Sequence, residues 1–193
     1  SMLLLMVPIS PLLGTILYFG LPSTYLISRR PHLLKVVITP ALIFGVVFGI
    51  GFEYINEVGG SWIFPLKDQF VFPHLFFGTV PGDVIVWYFL WILMIITYYE
   101  YFIDRPSQHF VARRVYKTIA LGCVALAIIA IAHYVLHMDI IIPFAYTITG
   151  LAALFPVCVL YTRKPKIFSK LARNIPFLTA FFGLMEAVEL KVG

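Results

Sequence analysis

The sequence predicts an all-α, polytopic membrane helix bundle with six visible spans, and three observations predict it. The chain is 61% hydrophobic and 12% charged, with a mean hydropathy of +0.97, whereas a soluble domain carries roughly 25% charge. Several uninterrupted apolar runs reach the ~20 residues that cross ~30 Å of hydrocarbon. Basic and acidic residues alternate between successive connections along the chain. The net charge of +5 follows that alternation and does not point to nucleic acid. Cys123 and Cys158 both lie inside apolar runs and read as buried small hydrophobes, not as a disulfide. Ser1 ahead of Met2 reads as a remnant of tag cleavage. No basic segment precedes the first apolar run, so no cleaved signal peptide is expected.

The first span covers about residues 6–27 and contains Pro8, Pro11 and Pro22, which a membrane helix tolerates when neighbours re-satisfy its backbone. The second covers about 34–55, where Gly45 and Gly49 form a small-xxx-small face for close helix packing. The third covers about 84–102. The fourth, about 115–136, is rich in Ala and is expected to be central. The fifth covers about 140–161 and the sixth about 175–190.

Orientation follows from the basic residues. Arg29, Arg30 and Lys35 fall between spans one and two; Arg105, Arg113, Arg114 and Lys117 fall between three and four. Arg163, Lys164, Lys166, Lys170 and Arg173 fall between five and six. Twelve of the fourteen Lys and Arg thus share one side. The positive-inside rule makes that side cytoplasmic and places the N-terminus outside, in a membrane expected to be a prokaryotic plasma membrane. Seven of the nine acids, Glu53, Glu57, Asp68, Asp83, Asp139, Glu186 and Glu189, lie on the opposite side.

An internal repeat organises the spans. Leu21–Pro31 (LPSTYLISRRP) aligns with Phe155–Pro165 (FPVCVLYTRKP): each has two prolines nine positions apart, the second preceded by a basic pair. Pro8 aligns with Pro143, and Phe52–Gly60 with Met185–Gly193, which pairs Glu53 with Glu186. The offset stays between 133 and 135 residues. Moving from span one to span five is an even number of crossings, so the repeats are parallel. The expected plan is one membrane domain over residues 1–193. Repeat one occupies 6–103, a cytoplasmic loop and linker span 104–139, and an incomplete repeat two 140–193. A seventh span is expected beyond Gly193.

Between spans two and three lies a stretch too broken by Gly and Pro to cross a bilayer and unusually aromatic for a loop, with a carboxylate at either end. It holds Phe52-Glu53-Tyr54, then Trp62–Pro65 (WIFP), then Gly78, Pro81 and Asp83 opening an aromatic helix. In order and spacing, and with the tandem repeat, these motifs resemble the integral-membrane lycopene cyclase family, the small carotenoid cyclases of actinobacteria, archaea and fungi. The resemblance spans essentially the whole chain. It departs at Pro81-Gly82-Asp83-Val84, where one carboxylate stands in place of the family's two.

The resemblance implies a cofactor-independent isomerase that closes ionone-type rings at the ends of lycopene or a related carotenoid. A proton adds to a terminal double bond, the carbocation closes the ring, and a proton leaves. Such a reaction needs a carboxylic acid kept neutral by a low-dielectric site and a base for the final proton. Asp83 is the first candidate acid, with Glu53 and Glu186 as repeat-related partners. Trp62, Phe64, Trp87, Tyr88 and Trp91 would line the substrate and offer ring faces to the cation, each worth about 0.5–2 kcal/mol. The plainer readings are a helix-capping role for Asp83, solvated span ends for the glutamates, and an interfacial belt for the aromatics. His133 and His137, at i and i+4 beside Asp139, have spacing that can bind a metal. The plainer reading is an interfacial pair, and no metal is expected. No nucleotide, flavin or metal motif occurs in the chain, so no cofactor is expected. The expected partners are membrane lipid, a hydrophobic isoprenoid substrate and a homo- or hetero-oligomeric copy. Two other functions fit the spans: a small-solute transporter built from parallel three-helix repeats, and a non-catalytic partner subunit of a heterodimeric cyclase.

Overall fold

A computed structural model describes residues 10–61, 70–104, 113–163 and 165–192. Their regular secondary structure is helical, with one isolated antiparallel bridge, Phe76 to Val80, in the loop before residue 82. Trp62, Phe64, Asp68 and Arg105 lie outside the described residues.

Helix α1 spans residues 11–29. Ser10 starts it, its hydroxyl accepting from the Leu13 amide at 3.3 Å, with Pro11 in the first helical position; both are favoured where early N–H groups lack partners. It stops at Arg30, which is extended (φ −141°, ψ 78°), as a residue before proline prefers. Helix α2, Pro31–Val58, follows after that single residue. Its 28 residues give about 42 Å of length. Wide π-type turns over Leu42–Val47 come directly after Pro40, whose missing N–H interrupts the i to i−4 ladder. The helix ends at Gly59, with Gly60 in the left-handed region (φ 66°) and the Ser61 amide closing onto the Asn56 carbonyl.

Helix α3, residues 82–104, packs parallel to α1 and antiparallel to α2. Gly45 makes the α2–α3 approach possible: a Cβ there would lie 2.5 Å from the Phe89 Cα. Gly49 faces the Tyr88 ring, so the small-residue face expected from sequence is the contact face. On the other side Phe19 and Met94 form a buried pair between α1 and α3, and the Ser23 hydroxyl donates to the Phe19 carbonyl at 2.6 Å.

Helix α4, residues 113–135, lies against α2 through Gly122, Leu126 and Ile129. Leu121, Val124, Ile128 and Ile131 are exposed, so the Ala-rich helix is peripheral rather than central. Alanine content reports small side chains, not position. Helix α5, Ala145–Arg163, starts five residues later than the apolar run, because Pro143 disfavours helix before it. Cys123 and Cys158 are free thiols on exposed faces, not buried fillers; the apolar runs around them face outward.

A short helix, α6 (Pro165–Ala172), stands where the sequence predicts only a connection, and it packs on the last turns of α3. Helix α7, Ile175–Val192, completes the described chain. Phe177 stacks on Tyr98 at 3.7 Å, and Phe181 and Phe182 reach Phe19 and Trp91. Two of the helices, α2 and Gly82–Ile103 of α3, are long and apolar enough to cross a membrane; Ile119–Val135 of α4 is a shorter apolar stretch.

Candidate functional site

The C-terminal ends of α2 and α4 and the N-terminal ends of α3 and α5 meet at one end of the bundle, which holds the buried Glu53, Asn56 and Asp83. Glu53, on the last turns of α2, is fully buried. The Tyr88 hydroxyl on α3 donates to its Oε2 at 3.2 Å. The Phe52 ring stands edge-on to Tyr88 at 6.1 Å, and Gly49, one turn before Glu53, lets the Tyr88 ring lie against the α2 backbone. Asn56, one turn after Glu53 on the same face, is also fully buried. Its Nδ2 donates to the Phe52 carbonyl at 2.7 Å, and its Oδ1 meets no donor among the described residues. Solvated span ends, the plainer reading for Glu53, do not describe this side chain.

Asp83 is 2% exposed, but it faces elsewhere. Its two oxygens accept from the Val71 and Phe72 amides, each at 2.9 Å. Five residues separate it from Tyr88, about 140° around the helix. Asp83 therefore clamps the 70–81 loop to the head of α3. Pro81, the residue before the helix, cannot cap with its side chain, and the Gly82 amide donates instead to the Phe72 carbonyl at 2.7 Å.

A second polar group lies beside the first. Tyr54 is fully buried, next to Glu53 in sequence but about 100° around the helix. Its hydroxyl donates to Asp139 Oδ1 at 2.9 Å, and His133 Nδ1 lies 3.1 Å from the same oxygen. A carboxylate can only accept, so the proton of that contact sits on Nδ1. The Tyr54 hydrogen bond first, then that of His133, hold the Asp139 carboxyl below its ordinary value. Phe77, held in the left-handed region (φ 53°), packs on the rings of Tyr54, His133 and Tyr134. His137 also has positive φ (51°) and lies beyond the last helical turn. The helical i, i+4 face assumed for a His133–His137 metal pair is therefore broken. Both histidines instead line an open cleft with Tyr134 and Asp139.

Trp87 and Trp91 stack at 6.1 Å and contact Phe19 on α1, with Trp91 also meeting Phe182 on α7. They form an aromatic seam joining three helices. Glu186 falls within α7; its side chain lies outside the described ones. The structure thus joins Glu53 to Tyr88 and turns Asp83 away from them. Tyr54 and Asp139 are not recognisable from sequence as a pair because 85 residues separate them; the signal present is Asp139 beside His133.

No family model, curated protein or solved structure matches this chain.

Proposed function

We propose that the chain is an integral-membrane, cofactor-independent acid–base isomerase of the lycopene cyclase kind. The observation that carries the reading is a fully buried carboxyl, Glu53, held under the Tyr88 hydroxyl between two helices of membrane-crossing length. Ionisable groups at membrane depth are costly and mark function by default. Large exposed apolar faces on α4 and α5, including Val124, Ile128, Leu151 and Leu154, are what lipid would cover and exceed what a soluble monomer exposes. In this reading all six long helices cross the bilayer, the N-terminus is outside, and the basic end is cytoplasmic.

Glu53 is the proton donor in the proposed mechanism. Its proton passes to the terminal double bond of the polyene, the neighbouring double bond attacks the carbocation to close the ring, and the Glu53 carboxylate takes back a ring proton, so the isomerisation ends with no net change in atoms or electrons. Tyr88 orients the carboxyl and, with Phe52, presents aromatic surface to the cation. Asn56 Oδ1, which meets no donor among the described residues, offers a fixed dipole one turn further along the same helix face. Asp83 acts by holding the loop, since both its oxygens are engaged by amides.

The test is expression in a lycopene-producing bacterium with pigment analysis. The wild-type chain is expected to convert lycopene to a cyclised product. E53Q, which keeps an acceptor for Tyr88, should lower ring formation by about 10²–10⁴-fold, the range of a general acid. D83N should lower it less, in step with loop disorder seen by proteolysis. Unchanged lycopene from well-expressed, membrane-resident wild-type protein overturns the cyclase reading and leaves the transporter or partner-subunit readings in its place.

A further inference from the structure

Helix α6 sits at the opposite end of the bundle from Glu53, where α1, α3 and α5 end. It is strongly two-sided. Phe168 is half-buried and meets the Tyr161 ring edge-on at 4.9 Å, while Lys166 and Ser169 are exposed. Lys166 stands in the first turn of α6, and Arg173, also exposed, lies in the turn that closes it, its amide donating to the Lys170 carbonyl at 3.3 Å. Arg163, exposed at the last turn of α5, immediately precedes them. From residue 163 to 173 there are five Lys or Arg and no Asp or Glu. Not every cation at this end is available: Arg30 donates to the Tyr101 carbonyl at 3.1 Å and lies 4.3 Å over the Tyr101 ring. Arg163, Lys166 and Arg173 are instead exposed, at the end of an apolar helix, on an amphipathic one and in the turn that follows it.

We propose that this stripe is a binding surface for anionic phospholipid, with α6 lying in the headgroup plane, its apolar side on the bundle and its cations on lipid phosphates. The charge pattern selects the occupant: clustered Lys and Arg beside a membrane-spanning helix are attracted to an anionic leaflet, whereas a zwitterionic surface offers no net field. An amphipathic helix in the interface adds buried apolar area to that attraction. The same surface would fix the depth of α5 and α7, which α6 joins, and so the height of the whole bundle in the bilayer. The proposal rests on the membrane reading above and is independent of the cyclase chemistry.

The test uses the full chain, purified in mild detergent and stripped of lipid. Phosphatidylglycerol and phosphatidylcholine are titrated in, with bound lipid counted by mass spectrometry. The expected result is tighter binding of phosphatidylglycerol, with each removed charge lowering that preference roughly fivefold, the equivalent of about 1 kcal/mol per residue. R163Q/K166Q/R173Q should then bind both lipids alike, while R163K/K166R/R173K keeps the preference and reports on folding. A neutral variant that binds phosphatidylglycerol as wild type does, or a wild type without preference, overturns the proposal. Alkaline carbonate extraction of membranes is run alongside. Release of the wild-type chain by alkali overturns the membrane reading itself, whereas retention without lipid preference overturns the lipid surface alone.

Discussion

Glu53 and Tyr54 are neighbours in sequence and part company in space. One step along a helix turns about 100°, so Glu53 meets Tyr88 on α3 and Tyr54 meets Asp139 before α5. A buried carboxyl flanked by aromatics is legible in the sequence, because Phe52-Glu53-Tyr54 ends an apolar run. Its partners are not, since pairings over 35 and 85 residues leave no local pattern. Asp139 supplies the residue-scale prediction. Its folded carboxyl lies below the ordinary 3.8, first through the Tyr54 hydrogen bond and then through His133. A depressed carboxyl titration means that the unfolded chain binds the proton more readily. The stabilisation is therefore present above the unfolded value near 4 and is lost as pH falls below it through the lower folded value. Asp139 is 52% exposed, so solvent screening holds the effect to that of a surface pair, about 0–1 kcal/mol. Melting temperature measured from pH 7 down to pH 3 should show an acid-side loss in wild type that D139N and Y54F both reduce. Identical acid limbs in the three proteins would remove Asp139 from this role.

Between elements, the decisive contact is backbone on backbone. Gly45 brings α2 against α3 so closely that an added Cβ would meet the Phe89 Cα at 2.5 Å and its amide nitrogen at 2.8 Å. A main chain cannot swing aside as a side chain can, so G45A must push the helices apart at Tyr88, whose carbonyl lies 3.0 Å from the added Cβ, and loosen the seat of Glu53 about two turns along α2. Overpacking of this kind costs about 1–3 kcal/mol. Gly14 on α1 is the contrast, since nothing lies within 4 Å of the position an alanine methyl would take there, and alanine gains helix propensity of up to about 1 kcal/mol. Thermal unfolding in detergent should rank G45A below wild type and G14A at or above it. Equal melting points for G45A and wild type would mean that the helices slide without cost. The small-residue signal at Gly45 and Gly49 is readable from sequence because it is periodic. The position of α4 is not, because alanine and apolar content are shared by helices inside a bundle and by helices at its rim. Helix α6 is hidden by its length: eight residues beginning at a proline and rich in cations look like a connection until Phe168 is seen against Tyr161.

At the scale of the molecule, the sidedness of charge makes a claim that the two membrane-length helices can test directly. Helix α2 runs from the basic end, just after Arg29 and Arg30, to the acidic end at Glu53 and Glu57. At about 42 Å it exceeds the ~30 Å hydrocarbon layer with a turn or more to spare at each side. The exposed serines Ser28 and Ser61 bracket it, and neither takes part in the Glu53 or Asp139 contacts. Cys123 and Cys158, which lie on exposed faces of apolar helices, are first replaced by serine to give a background without thiols. S28C and S61C are then treated in intact cells with a maleimide that cannot cross membranes. If twelve cations of fourteen orient the chain by the positive-inside rule, S61C labels from outside and S28C labels only after lysis. The reverse pattern would invert the orientation and place the Glu53 end in the cytoplasm. Labelling of both from outside would mean that α2 does not cross, and its apolar length would then have to be buried by protein. The described contacts of α2 come mainly from α3 on one side and α4 on another, with the head of α5 at its far end, and Leu42 and Phe44 remain exposed. A surface of that kind needs lipid or a further protein against it, and labelling of S61C alone selects lipid.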